Sequence, residues 1–481
     1  MSDILRLSKP ISWLDGVDPS SGKIIQPDHP EKGKSIAGKV VIIPYSTGST
    51  VGAYTFFRLV KAGKQPKKIV LEYPDSVTIS AELAGIPVEI PMAKGSYKLE
   101  ADAPEKFLRF LEKEASISNS EGFVKVNSVH ISGVSYSTIG EAGLEFLEEI
   151  ASQGILVKVK ATANPTGMDL KRWKEMGIPE DYANKQFRIV RALLSMGVEP
   201  SFTCTPYFIG NKPKKGDHIC WGESSAVAFV NSVLGARTNR EGGVKTLVAA
   251  VVGLTPKYGM HLEENRKPNL KVRLEDSLQG MIDFGVLAYY IGKLAPRSVP
   301  IYEGILKASV EELKAMSAAG AASGSIELFH IKGITPEASL PCKEGCEKIK
   351  VGKEELKETI ESLSTSGSNP DIIVLGCPHL SKDELSMAAK LLEGKEVRVP
   401  FWLFTSRQVF ESNLNLCKKI ERSGAKVLCD TCMVVCPLKD LGYSVVATNS
   451  AKAARYLRTF QGLEVVFNRF ESLLNLYAIR S

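Results

Sequence analysis

Four short apolar runs punctuate the C-terminal part of the chain: Asp371–Leu375, Val397–Phe404, Ala425–Leu428 and Ser444–Ala447. Few positions in them are polar, so both faces need cover, as in the strands of a buried parallel sheet. Helix-like segments separate them, at about 381–393, 407–422 and 450–458. This strand–helix alternation predicts a doubly wound α/β sheet with reactive side chains gathered outside the carboxyl ends of its strands. Those ends read Gly376-Cys377-Pro378-His379, Thr405-Ser406-Arg407, Cys429-Asp430-Thr431-Cys432 and Thr448-Asn449-Ser450, which is a set of chemical side chains rather than a packing pattern.

The same alternation recurs upstream. Gly38–Pro44 predicts a strand, Tyr45–Thr50 a turn, Val51–Lys61 a helix, Lys68–Leu71 a strand and residues 76–84 a helix. The turn residues of Trp13–Gly22 carry a hairpin signal. The polar stretch Met92–Ala103 is expected to be a linker, which makes residues 1–95 one module and 96–481 a larger region, itself divided near 245 and 368. A second series predicts strands at Phe123–Ile131, Ile155–Ala161 and Glu199–Phe202, with helices at Gly140–Ser152 and 180–196. Ala315–Ser325, rich in small residues, is expected to form a closely packed helix and turn.

Composition narrows the classes. The 481 residues are 44% hydrophobic and 24% charged, enough for several buried cores. A net charge of +7, with no basic run interleaved with aromatics, favours a small anionic substrate over nucleic acid. No apolar stretch approaches the length of a membrane span, and Met1–Arg6 has no signal-peptide pattern, so a cytoplasmic protein is expected. Nine cysteines, in such a chain, read as thiols, metal ligands or catalytic groups rather than a disulfide frame.

Among these cysteines, Cys204, Cys377 and Cys432 stand at strand ends beside proline or polar neighbours, where thiolates select iron–sulfur clusters or zinc. The alternative is that they are small buried hydrophobes. Ser46-Thr47-Gly48-Ser49-Thr50 opens a helix whose free N–H groups suit an anion, or which Ser49 or Thr50 simply caps. Ser224 and Ser225 head another helix; Arg237 and Arg240 near its end suit a carboxylate or phosphate clamp, or are surface cations. His261 begins a polar stretch without HExxH spacing.

Taken together, Gly133-Val134-Ser135-Tyr136, Asn164-Pro165-Thr166-Gly167-Met168-Asp169, Thr203-Cys204-Thr205-Pro206-Tyr207, Glu223-Ser224-Ser225-Ala226, Ala236–Gly243, Gly376-Cys377-Pro378-His379 and Asp430-Thr431-Cys432 resemble the aconitase X family, and Gly48–Gly52 resembles the signature of its small swivelling domain. The resemblance implies an aconitase-like α/β fold, with several lobes around a central cleft and an N-terminal swivelling domain. It implies a hydro-lyase that dehydrates a β-hydroxy acid. Cys204, Cys377 and Cys432 would hold an iron–sulfur cluster, [4Fe-4S] rather than [2Fe-2S], with one open iron. Ser49 would be the base, and Ser135 and Asn164 would face the substrate with Gly48, Thr50, Ser224 and Ser225. Arg237, Arg240 or Arg407 would clamp substrate, and His379 or His261 would protonate the leaving hydroxyl. Family substrates are 5-phosphomevalonate, favoured here, and cis-3-hydroxy-L-proline. The small domain is fused in front of the large one, so a monomer is expected. Readings of other classes are a non-catalytic iron or metabolite sensor using the same cysteines, and a zinc protein using Cys429, Cys432 and Cys436 with a histidine.

Overall fold

Four parallel sheets organise the chain in this computed structural model, which describes residues 3–91, 95–365, 367 and 369–480. Met92–Lys94 of the expected linker lie outside the described residues. The first sheet orders its strands Ile4–Arg6, Val40–Ile43, Lys68–Leu71 and Val88–Glu89. The second places Ser128–Ile131 between Lys160–Ala163 and Cys220–Trp221. The third runs His330–Ile331, Pro300–Glu303, Leu270–Leu274, Glu347–Val351. The fourth runs Lys426–Cys429, Phe401–Thr405, Ile372–Leu380, Val445–Thr448, Glu464–Phe467.

The fourth sheet shows why its strands are apolar at every position. Side chains alternate across a strand. Ile372, Val374, Trp402, Phe404, Leu428 and Val446 enter one hydrophobic core, while Ile373, Leu375, Phe401, Leu403, Val427 and Ala447 enter another on the opposite face. Covered on both sides, the sheet leaves only its strand ends for chemistry. The small-residue tract also has its packing reason. The helix Val310–Gly324 lies so close to Gly280–Leu294 that a Cβ on Gly324 would stand 2.0 Å from the Gly292 carbonyl oxygen.

Several expected elements are displaced. Glu199–Phe202 is not a strand; it runs beside Lys160–Ala163 through the Glu199 N–H to Ala161 O and Thr203 N–H to Ala163 O bonds, while Ser201 Oγ takes the Ala163 N–H that a strand partner would have bonded. The strand expected at Ile155–Ala161 begins instead at Lys160, and Phe123–Ile131 breaks into Phe123–Lys125 and Ser128–Ile131. The helix after Phe401–Thr405 divides at Asn413. A helix not expected from the sequence follows the linker, Glu105–Ile117, and buries Phe107, Phe110, Leu111 and Ala115. The hairpin is present as Val17–Asp18 against Lys23–Ile24. Among the described residues no helix is long and apolar enough to cross a membrane.

The N-terminal sheet is not loosely tethered. Val41 and Leu71 of the sheet, and Phe56 of the helix Thr55–Lys61 beside it, belong to the same apolar cluster as Ile131, Val134 and Val244. Tyr54 is the plug of this junction. Its ring is fully buried against Gly133, Gly143 and Gly243, where a Cβ would fall 2.0, 3.0 and 3.0 Å from ring atoms. Gly133 also has φ +83°, a conformation that L side chains rarely adopt. Gly133→Ala is therefore expected to destabilise the protein by about 3 kcal/mol, through overpacking and a left-handed alanine. Denaturant unfolding measures this, and an unchanged midpoint would show that the junction yields.

Candidate active site

One pocket brings together Cys204, Cys377 and Cys432 with Ser49, Ser135, Asn164, Glu223, Ser224, Lys452 and Tyr456. The cysteines come from three places in the fold. Cys377 lies on the strand Ile372–Leu380, Cys432 follows Lys426–Cys429, and Cys204 ends the segment that hugs the second sheet. All three are buried. Burial, and then the neighbouring Cys432 sulfur, push the Cys204 thiol well above its ordinary value. Burial and the Cys377 sulfur push Cys432 up to about 12. Burial also raises Cys377.

The sulfurs sit where hydrogen-bond donors meet them. Cys204 Sγ accepts the His379 N–H at 3.2 Å, Cys432 accepts backbone N–H groups of Val434 and Val435, and Cys377 has the Ser450 hydroxyl. Three buried thiols, each served by a hydrogen-bond donor, form an all-sulfur donor set of the kind that suits iron–sulfur chemistry. Among the described residues no three His, Cys, Asp or Glu side chains converge on a single-ion position. The zinc arrangement around Cys429, Cys432 and Cys436 is thus not formed.

Ser49 is delivered by the N-terminal unit. The strand Ser46–Thr47 pairs with Ile11–Ser12, and Gly48 then turns with φ +77°. A Cβ there would meet Ser12 Oγ at 2.4 Å, so only glycine makes this turn. Ser49 caps the helical turn Thr50–Tyr54, its Oγ accepting the Val51 N–H at 3.4 Å. Arg240 reaches the same loop from the first large lobe. Its two terminal nitrogens donate to Gly48 O at 2.9 Å and Ser46 O at 3.0 Å. The guanidinium expected to clamp substrate instead braces the loop that carries Ser49. Thr50 Oγ1 likewise bonds Gly222 O and Ser132 Oγ, tying two lobes rather than facing a substrate.

The remaining expected residues have other partners. Arg407 forms ion pairs with Asp169 and Asp430 and so is occupied. Arg237 donates to His261 O and lies near Glu263 and Glu337, outside the pocket. His261 is buried against His218, their Nδ1 atoms 2.9 Å apart, and burial holds its pKa well below the usual range. His379 is not placed to protonate a leaving group. Its Nε2–H donates to Thr431 O at 2.8 Å, its Nδ1 accepts from Thr203 Oγ1 at 2.9 Å, and burial lowers its pKa to about 4. It instead joins the Cys204 and Cys432 segments. Ser135 lines the pocket while its hydroxyl donates to Val435 O; Ser225 stands behind the wall, bonded to Glu223.

The residues that sequence reasoning passed over are the charged ones. Lys452 Nζ donates to Glu223 and, at 3.1 Å, to Ser225 Oγ. Asn164 Nδ2 donates to the other Glu223 oxygen at 2.7 Å, and its Oδ1 accepts from His130 Nε2 at 2.8 Å. Burial pushes the Glu223 carboxyl up, but Lys452 and the donated hydrogen bonds outweigh it and hold it at about 2. Burial works against the Lys452 ammonium, yet Glu223 and the Cys377 and Cys204 sulfurs keep its pKa above normal. Tyr456 Oη is buried without a hydrogen-bond partner, and burial raises it to about 12, so it is a neutral donor. A signal for Lys452 was present: a lysine in the first turn of the helix Ala451–Thr459 opposes the helix dipole and needs a reason.

Family models described as the aconitase X swivel, first, second and third domains match residues 2–108, 91–264, 268–361 and 370–477. The chain is 46% identical to the phosphomevalonate dehydratase large subunit of Methanocaldococcus jannaschii, over 76% of this chain and 94% of that protein. It is 30% identical to the cis-3-hydroxy-L-proline dehydratase of Pseudomonas aeruginosa, over 95% of this chain and 91% of that one. Over 87 residues, 18% of this chain and 67% of the relative, it is 45% identical to the phosphomevalonate dehydratase small subunit of Pyrococcus abyssi. A crystal structure of Thermococcus kodakaraensis aconitase X in its holo-form superposes with a TM-score of 0.73 at 39% identity, covering 78% of this chain and 95% of that one.

Proposed function

This chain belongs to the aconitase X family and is a hydro-lyase, and on that premise we propose that it dehydrates 5-phosphomevalonate with an iron–sulfur cluster held by Cys204, Cys377 and Cys432. The observation that carries the site is the meeting of those cysteines with Ser49 in one pocket. The substrate rests on the 46% identity to a phosphomevalonate dehydratase large subunit. One observation favours a second reading, cis-3-hydroxy-L-proline: that dehydratase also carries the matching regions in a single polypeptide, aligned over 95% of this chain. In either case the N-terminal unit serves as a built-in small subunit, and no separate one is required.

When bound, the cluster supplies a Lewis-acidic iron for the substrate carboxylate and departing hydroxyl. The chain's own residues do the rest. Ser49 Oγ removes the Cα proton, and the Val51 N–H at the start of its helical turn steadies the charge developing on it. The Lys452 ammonium, fixed by Glu223, pairs with the substrate carboxylate as negative charge grows there. The Tyr456 hydroxyl offers a hydrogen bond that no protein group uses. The Asn164–His130 link orients Glu223 from behind. Closure of the N-terminal unit onto the cysteines excludes water from the proton transfer.

Anaerobic purification with iron, sulfide and visible-absorption analysis, followed by parallel addition of both candidate substrates, tests this. A brown protein that dehydrates 5-phosphomevalonate is the expected result. Turnover of hydroxyproline alone would transfer the assignment to the second reading. A brown protein inert to both would favour the sensor, and a colourless one would remove the cluster.

A further inference from the structure

A second cavity, of about 360 Å³, shares no lining residue with the cysteine pocket. It opens where three units meet: Ser46 and Asp75 come from the N-terminal unit, Arg240 from the first large lobe, and Arg297, Ser325 and Lys343 from the lobe of the third sheet. Two donors in its wall are buried without a partner, Arg240 Nε and Ser325 Oγ. The Arg240 side chain is 5% exposed and Ser325 is 3% exposed. Buried donors of this kind are rarely left unmatched in a folded protein. The Arg297 guanidinium lies over the Tyr45 ring, 4.5 Å from its centroid, and adds a second cation at the mouth.

Two carboxyl groups also face the cavity, Asp75 and Glu327, and the Arg240 guanidinium lies 3.9 Å from the first. The Asp75 carboxylate already accepts from Ser46 N–H and Oγ, Val77 N–H, Thr78 N–H and Thr78 Oγ1. Glu327 accepts the Arg240 N–H, and burial pushes its carboxyl up. The backbone is unusual at the same place. Ser325 and Arg297 have φ +54° and +60°, two of five non-glycine residues with positive φ among the described residues. Ser325 takes this conformation as the C-cap of the helix Val310–Gly324.

We propose that this cavity binds a small anion, a phosphate or a carboxylate, which locks the N-terminal unit shut by pinning Arg240. The terminal nitrogens of Arg240 already hold Ser46 O and Gly48 O. An acceptor on its Nε completes the guanidinium and stiffens the loop that carries Ser49. The site joins three units at once, so its occupancy sets how readily they part. This holds for either substrate, because it depends on neither turnover nor cluster.

Calorimetric titration of the full chain, purified anaerobically, with inorganic phosphate and acetate in separate arms tests it, alongside hydrogen exchange at residues 46–50. The expected result is one saturable site, slower exchange at 46–50, and a preference between the arms that names the anion. Ser325→Gly removes the hydroxyl and suits the left-handed backbone, so it should fold with an unchanged or higher Tm yet bind roughly fivefold more weakly. Lys343→Met should weaken binding about tenfold. No saturable binding, or wild-type affinity in both variants, would each overturn the proposal.

Discussion

Ser49→Ala is expected to lower turnover by about three orders of magnitude while leaving iron and sulfide content at the wild-type level. That loss corresponds to roughly 4 kcal/mol of barrier, within the range a positioned base supplies. The fold has little at stake in the hydroxyl. It accepts one long bond, 3.4 Å from Val51 N, so its removal should cost about 0.5–1 kcal/mol of stability. Ser49 also belongs to a different unit from the cysteines, and none of the bonds to Cys204, Cys377 or Cys432 passes through it. Single-turnover kinetics with cluster analysis on the same sample separates these effects. If Ser49→Ala kept more than a tenth of the wild-type rate, the proton would have to leave by another group.

What could be read from the chain follows a physical divide. The strands of the fourth sheet were legible because burial on both faces makes every position apolar, and the reactive residues lie just past their ends. Cys377 and Cys432 are legible for the same reason, and Ser49 because glycine at 48 marks a turn into a helix. The amphipathic spacing of Phe107, Phe110, Leu111 and Ala115 was available too, just past the polar stretch Met92–Ala103, but no helix was expected there. The arginines were not legible. Arg407 meets Asp169 across 238 positions and Arg240 meets Gly48 across 192, and nothing local records that those forks are already engaged. A residue type states what a side chain can bind; only the folded chain states what it does bind. Lys452 is the converse case, a cation whose local setting at a helix start is unfavourable because its partner, Glu223, comes from a distant lobe.

That pair carries the other large effect. The Lys452 and Glu223 side chains are 9% and 11% exposed, so removing one charge strands the other away from water. Lys452→Met is expected to destabilise the protein by about 3–5 kcal/mol. It should also lower turnover by at least about a hundredfold, since the ammonium no longer meets negative charge growing on the substrate. Lost stability alone could mimic the second effect, so the informative protein is the double variant Lys452→Met with Glu223→Gln. There no charge is stranded, and Asn164, Ser225 and a neutral amide can still exchange hydrogen bonds. Chemical denaturation should show most of the stability recovered, because buried ion pairs contribute little net stability over neutral replacements. Turnover, measured on the same preparations, should stay at the level of Lys452→Met. Recovery of both together would reduce Lys452 to a structural ion, whereas recovery of stability without rate places its charge in the chemistry.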